Sequence, residues 1–200
     1  MSNYREEARA DAVSTVENYE DEIVEMIIDD GEASSDLLND YGSGDSYHHE
    51  SHVDKFYNLS EAAEVLDELS DFEETDTGLW EGLPPREAIG AQAAYTYGTA
   101  VYSFFTDLIK EINDEVSDAL SDLDDSVAEV DDERKAEIEN KREAIRDKMR
   151  QATLTAKRRE ALQEKLDAIE DYDADEHDAE REEAKKATIK ETIKQCCSNF

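Results

Sequence analysis

Two stretches of the chain carry residue types that hold metals. His48, His49 and His52 stand with Glu50 between Gly42 and Lys55. A zinc-protease helix needs glutamate directly after its first histidine and a three-residue gap to the second, so that both imidazoles reach one ion. His49-Glu50-Ser51-His52 is one residue short, and its setting reads as a loop. Asp171, Asp173, Asp175 and Glu182 fall at positions one, three, five and twelve of a calcium-binding loop, with helical sequence on both sides. Glu176 replaces the glycine that the sharp turn of such a loop requires, and Asp178 stands where an aliphatic residue is usual. This run is assigned to a turn between helices, and neither a metal nor another cofactor is expected. Cys196 and Cys197 are adjacent and cannot staple a fold. With no Gly-rich phosphate loop and no nucleophile beside a base, the chain is not expected to be an enzyme.

What remains is charge. The 200 residues include 55 Asp and Glu against 21 Lys and Arg, a formal −34. Residues 1–133 hold 38 acids and five bases, whereas residues 134–200 hold 17 acids and 16 bases. Adaptation to a salt-rich solvent should colour the whole surface, so the imbalance favours a local acidic surface with a task. The acids also recur at helical steps. Glu17, Asp21, Glu25 and Asp29 form one row, and Glu61, Glu64, Glu68 and Asp71 a second. Asp107, Glu111, Asp114, Asp118, Asp122 and Asp125 form a third. Like charges four apart on a helix cost a few tenths of a kcal/mol per pair, roughly 0.2–0.5, so a solvated face normally mixes signs. At about 1.5 Å rise per residue, neighbours in a row lie roughly 5–6 Å apart. Duplex DNA carries about one charge per 1.7 Å of axis, so a net charge of about −33 matches roughly 56 Å of duplex.

The elements that must position these rows are helices. Gly (7) and Pro (2) are scarce, which points to an all-α protein. Its centre is the stretch 84–125, opening on Pro84-Pro85 as a first helical turn allows. Ile89, Ala93, Tyr97, Val101, Phe104, Leu108, Ile112, Val116, Ala119 and Leu123 make one apolar stripe, and Gly90 and Gly98 admit close approach. A first helix is expected over 2–30, capped by Ser2 and ended by Gly31, with Ala12, Val16, Tyr19, Ile23, Met26 and Ile27 inward. Asn58 caps another, burying Leu59, Ala62, Leu66 and Leu69, and Trp80 is expected to plug the end of the core. From 126 the texture becomes Glu, Lys, Arg and Ala, predicting helices near 127–151, 155–171 and 176–196. The pairs Glu137–Lys141, Glu139–Arg142, Glu143–Arg146, Asp147–Arg150 and Glu182–Lys186 would support them. The expected architecture is an acidic helical bundle, residues 1–125, built around a long helix at about 85–124. A charge-balanced helical hairpin or coiled-coil arm, residues 126–200, follows it.

By charge and periodicity over residues 1–133, the chain resembles the DNA-mimic inhibitors that phages and mobile elements direct against restriction, CRISPR-type and other defence enzymes. The resemblance rests on the three acidic rows, and the long charge-balanced tail departs from the smallest members. It implies action by occupancy. The rows would bind the groove of a basic nucleic-acid-binding protein, with no direct contact to nucleic acid, and a homodimer is expected. Two other readings are open: an adaptor coiled coil whose acidity serves solubility or halophilic adaptation, and an acidic chaperone for basic proteins. No apolar run approaches 18 residues and no leader pattern is present, so no membrane association is expected. The expected location is the cytoplasm, that of the host cell if the protein is viral.

Overall fold

The computed structural model describes residues 3–41, 56, 58–72, 83–150, 155–171 and 178–200. Among these residues the secondary structure is helical and no strand is present. The helices are α1 (Tyr4–Asn18), α2 (Glu20–Asp30), α3 (Leu59–Glu68), α4 (Pro85–Arg150), α5 (Ala156–Asp167) and α6 (Asp178–Asn199). Short 3-10 turns cover Ser35–Tyr41 and Ser70–Phe72. The chain divides into two compact units, one of residues 1–117 with 188–200 and one of residues 118–187. Both α4 and α6 therefore contribute to each unit.

Local signals explain most boundaries. Pro84 and Pro85 open α4, and the Ala88 amide donates to the Pro84 carbonyl at 3.0 Å. Asn58 caps α3, its side chain accepting from the Ser60 amide at 3.0 Å. Gly31 ends α2 at φ 87°, a left-handed conformation that glycine adopts without strain. Three expected boundaries are corrected. The 2–30 helix is broken at Tyr19, whose backbone leaves helical geometry where two weak helix formers, Asn18 and Tyr19, adjoin. Its cap is Asn3, not Ser2, with the Asn3 side chain accepting from the Glu6 amide at 3.3 Å. The central helix does not stop near 124 but runs on to Arg150, because no Gly or Pro follows Gly98 in the sequence to end it.

The core of the first unit gathers on α4. From Ala93 to Gly98 every residue is buried, so the helix is enclosed on all sides there. Val101, Phe104, Phe105, Leu108, Ile109, Ile112 and Val116 then continue the buried stripe. Ile89, expected in that stripe, is 39% exposed. Ala8, Ala12 and Val16 of α1, Ile23, Val24 and Ile27 of α2, and Ile189, Ile193 and Cys196 of α6 are also buried. On α3 the inward face is Ala62, Val65 and Leu69, while Leu59, expected inside, is 40% exposed at the first position of the helix. At Gly90 an added Cβ would lie 2.9 Å from the Phe56 carbonyl oxygen, so the close neighbour is the backbone of a residue outside any helix. Trp80 lies outside the described residues.

Polar contacts lock this core. The Tyr97 hydroxyl donates to Asp11 at 2.7 Å, and burial followed by that carboxylate raises the phenol well above its ordinary pKa. Asn113 of α4 clamps the buried Ala33, accepting from its amide and donating to its carbonyl, both at 2.8 Å. Arg5 lies over the Phe72 ring, and Arg9 over Phe104 and Phe200 at 5.1 and 5.6 Å.

The second unit is built differently, since none of its described residues is buried. Arg181 meets Asp131 at 2.6 Å and Lys185 meets Asp124 at 3.2 Å, so α6 runs antiparallel to α4 here. Arg142 donates to the Ile169 carbonyl at 2.9 Å and pairs with Asp171 at 2.7 Å, holding the end of the α5 segment beside α4. Of the expected helical pairs, Glu137–Lys141, Asp147–Arg150 and Glu182–Lys186 form. Arg142 instead takes Asp171, and Arg146 reaches Glu139, seven residues back, at 2.7 Å.

Replacing Asn113 with alanine removes both partners of a buried peptide group. We expect a loss of about 2–4 kcal/mol in unfolding free energy, measured by urea denaturation. A loss under about 0.5 kcal/mol would show that water replaces the clamp.

Candidate functional site

Each acidic row follows from the face its helix buries. Because α1 and α2 turn Ala12, Val16, Ile23 and Ile27 inward, Glu17, Asp21, Glu25 and Asp29 are left exposed. On α3 the inward Ala62, Val65 and Leu69 leave Glu61, Glu64 and, past the helix, Asp71 exposed, with Glu68 half-buried. On α4, Leu108, Ile112 and Val116 are buried while Asp107, Glu111 and Asp114 are exposed. Asp118, Asp122 and Asp125 are exposed in the second unit, so the third row is divided between the two units.

Bases reach few of these carboxylates. Lys190 of α6 pairs with Asp21 at 2.6 Å, and that hydrogen bond holds the carboxyl below its usual range. Arg5 pairs with Asp71 at 2.5 Å and lowers it in the same way, while its amide donates to Glu68 at 3.2 Å. Among the described residues, Glu17, Glu25, Asp29, Glu61, Glu64, Asp107, Glu111 and Asp114 form no ion pair. The first unit as a whole has 31 acids and seven bases, a net −24.

The end of α6 lies within electrostatic reach of acids from two of the rows. Glu111 and Glu115 of α4 act on Cys196, and Glu17 of α1 and Glu20 of α2 act on Cys197. The last turns of α6 thus feel carboxylates of α1, α2 and α4 together. Sequence reasoning missed Glu20 and Glu115. Glu115 lies four residues after Glu111, a spacing that could have added it, whereas only the docking of α6 brings in Glu20.

The metal candidates separate. Asp171 pairs with Arg142, and Glu182 pairs with Lys186 at 2.8 Å. Asp173 and Asp175 lie outside the described residues, as do His48, His49, Glu50 and His52. Among the described residues no three His, Cys, Asp or Glu side chains converge as a metal site would require. No helix among them is long and apolar enough to cross a membrane. Comparisons with protein-family models, curated proteins and solved structures gave no match to the chain.

The paired cysteines report on this electrostatic setting. Burial first, and then Glu17, Cys196 and Glu20, push the Cys197 thiol up to about 11. Thiolate is therefore scarce at neutral pH and forms only as pH approaches that value. We expect alkylation of Cys197 to be roughly 100-fold slower at pH 8 than that of a free thiol, and to rise steeply above pH ~10. Glu17→Gln should speed it only modestly, because burial remains; mass spectrometry of iodoacetamide-treated protein provides the readout.

Proposed function

We propose that the acidic first unit is a binding module that acts by occupancy, presenting carboxylates where a basic nucleic-acid-binding protein expects phosphates. The observation that carries this reading is the exposed row Asp107, Glu111 and Asp114 on a helix whose opposite face is fixed in the core. A net charge of −24 corresponds to about 40 Å of duplex axis at about 1.7 Å per charge. Rigid backing matters for such recognition. A carboxylate on a packed helix meets an Arg or Lys without the ordering cost that a disordered acidic tail would carry.

In this reading the target is a protein with a duplex-binding groove, such as a restriction or CRISPR-type defence enzyme. The rows steer association and set specificity, and half-exposed apolar side chains beside them supply shape. The protein performs no chemistry of its own.

The test is capture of such a target at low ionic strength with and without excess duplex DNA. We expect the duplex to displace the protein and the complex to weaken steeply with salt. Reversing Asp107, Glu111 and Asp114 to lysine should weaken it by about 1–3 kcal/mol, roughly 5- to 150-fold, at ~0.2–1 kcal/mol per exposed pair. Binding unaffected by both the duplex and the reversals would refute the reading.

A further inference from the structure

The second unit contains a hairpin formed by residues 131–150 of α4 and by α5 with the four residues after it, and its charge is polarised along its length. Residues 141–159, at the connected end of the two helices, carry eight bases and two acids. Residues 131–139 and 160–171, toward the open end, carry ten acids and three bases. Lys148, Lys157, Arg158 and Arg159 at the basic end are exposed and, among the described residues, pair with no carboxylate. Glu133, Glu164 and Glu170 at the acidic end are exposed as well.

The hairpin also lacks a core. Ile138, Ile145 and Met149 of α4, Leu162 and Leu166 of α5, and Ile169 just beyond it are all only half-buried. Twelve-residue α5 buries no side chain, and a helix of that length is marginal in water without packing. A single two-helix layer cannot bury both its apolar faces, so a second layer has to supply the cover.

From these two observations we infer that the hairpin is a homodimerisation surface whose occupant is the same hairpin of a second copy, packed antiparallel across a two-fold axis. An object with a positive and a negative end is complementary to itself when the copies run in opposite directions, as an isologous contact requires. The alternatives within one chain are poorer, since the acidic unit of one copy repels that of another, while the hairpin is nearly neutral overall. A 20-residue helical stretch is about 30 Å long and two helices are about 20 Å wide, giving roughly 600 Å² per copy. About 1,000 Å² in total is the lower bound for a specific interface, so complementary charge decides whether it forms.

Sedimentation velocity of the full chain over a micromolar range tests the inference. The native protein is expected to sediment as a dimer. A basic-end variant (Lys157→Glu, Arg158→Glu, Arg159→Glu) and an acidic-end variant (Glu133→Lys, Glu164→Lys, Glu170→Lys) should each dissociate at least ~100-fold more readily. Mixing the two in equal amounts should restore a heterodimer, because every contact is again between opposite charges. That recovery also shows that both variants fold, and circular dichroism checks each alone. A native monomer overturns the inference, as does an acidic-end variant that self-associates normally. Retention of a labelled duplex DNA by the basic end, without dimerisation, would reassign the surface to nucleic acid and equally overturn it.

Discussion

The apolar stripe of α4 between Ala93 and Val116 is what allows a chain of this charge to fold. The helices α1, α2 and α3 of the first unit are each acidic on the outer side, so bringing them together is opposed by repulsion between like charges. Each such pair within a helix costs only a few tenths of a kcal/mol, roughly 0.2–0.5. Full burial of a Phe or Leu side chain is worth about 1.5–3 kcal/mol. Tyr97, Phe105, Leu108 and Ile112 are fully buried, as are Val16 and Ile23 facing the same core. The balance favours packing, provided that the carboxylates stay in water, where repulsion is screened.

Three of the seven bases of this unit hold its elements together. Arg5 and Arg9 of α1 lie over aromatic rings from the turn after α3, from α4 and from the C-terminal residue, and Lys190 joins α6 to α2. Most of the acidic surface is left without compensation as a result. A row of carboxylates fixed by a packed helix is a different object from an acidic tail, because its spacing is set before any partner arrives. The same packing sets the environment of the end of α6, where acids of α1, α2 and α4 act on the buried Cys196 and the half-buried Cys197.

Residues 118–187 follow a different logic. Bases and acids are nearly balanced in the hairpin, and individual ion pairs substitute for a core. Arg181–Asp131, with both side chains mostly shielded, is the best placed of them, while most others are exposed and individually weak. A unit held together in this way is sensitive to salt and receptive to additional packing. In the proposed dimer its polarised charge would choose the partner, whereas the burial in the first unit keeps one fold.

Composition and periodicity alone determined the helical class, the inward stripe of α4 from Ala93 to Val116 and the exposure of the acidic rows apart from Glu68. Each depends on a single helix having one apolar face, which is a local property of sequence. The Gly31 and Asn58 caps were legible for the same reason, since their effect spans only a few residues. Tertiary structure decided the remainder. Arg142 and Arg146 had local partners available yet took Asp171 and Glu139, because the returning chain offers Arg142 a contact that no helical spacing encodes. The amide clamp of Asn113 on Ala33, the Tyr97–Asp11 hydrogen bond and the acids acting on Cys196 and Cys197 join residues 80 or more positions apart. The return of residues 188–200 to the first unit was likewise invisible to a reading by segments. A pattern of residues states what each helix can bury, and only the fold selects which helix covers it.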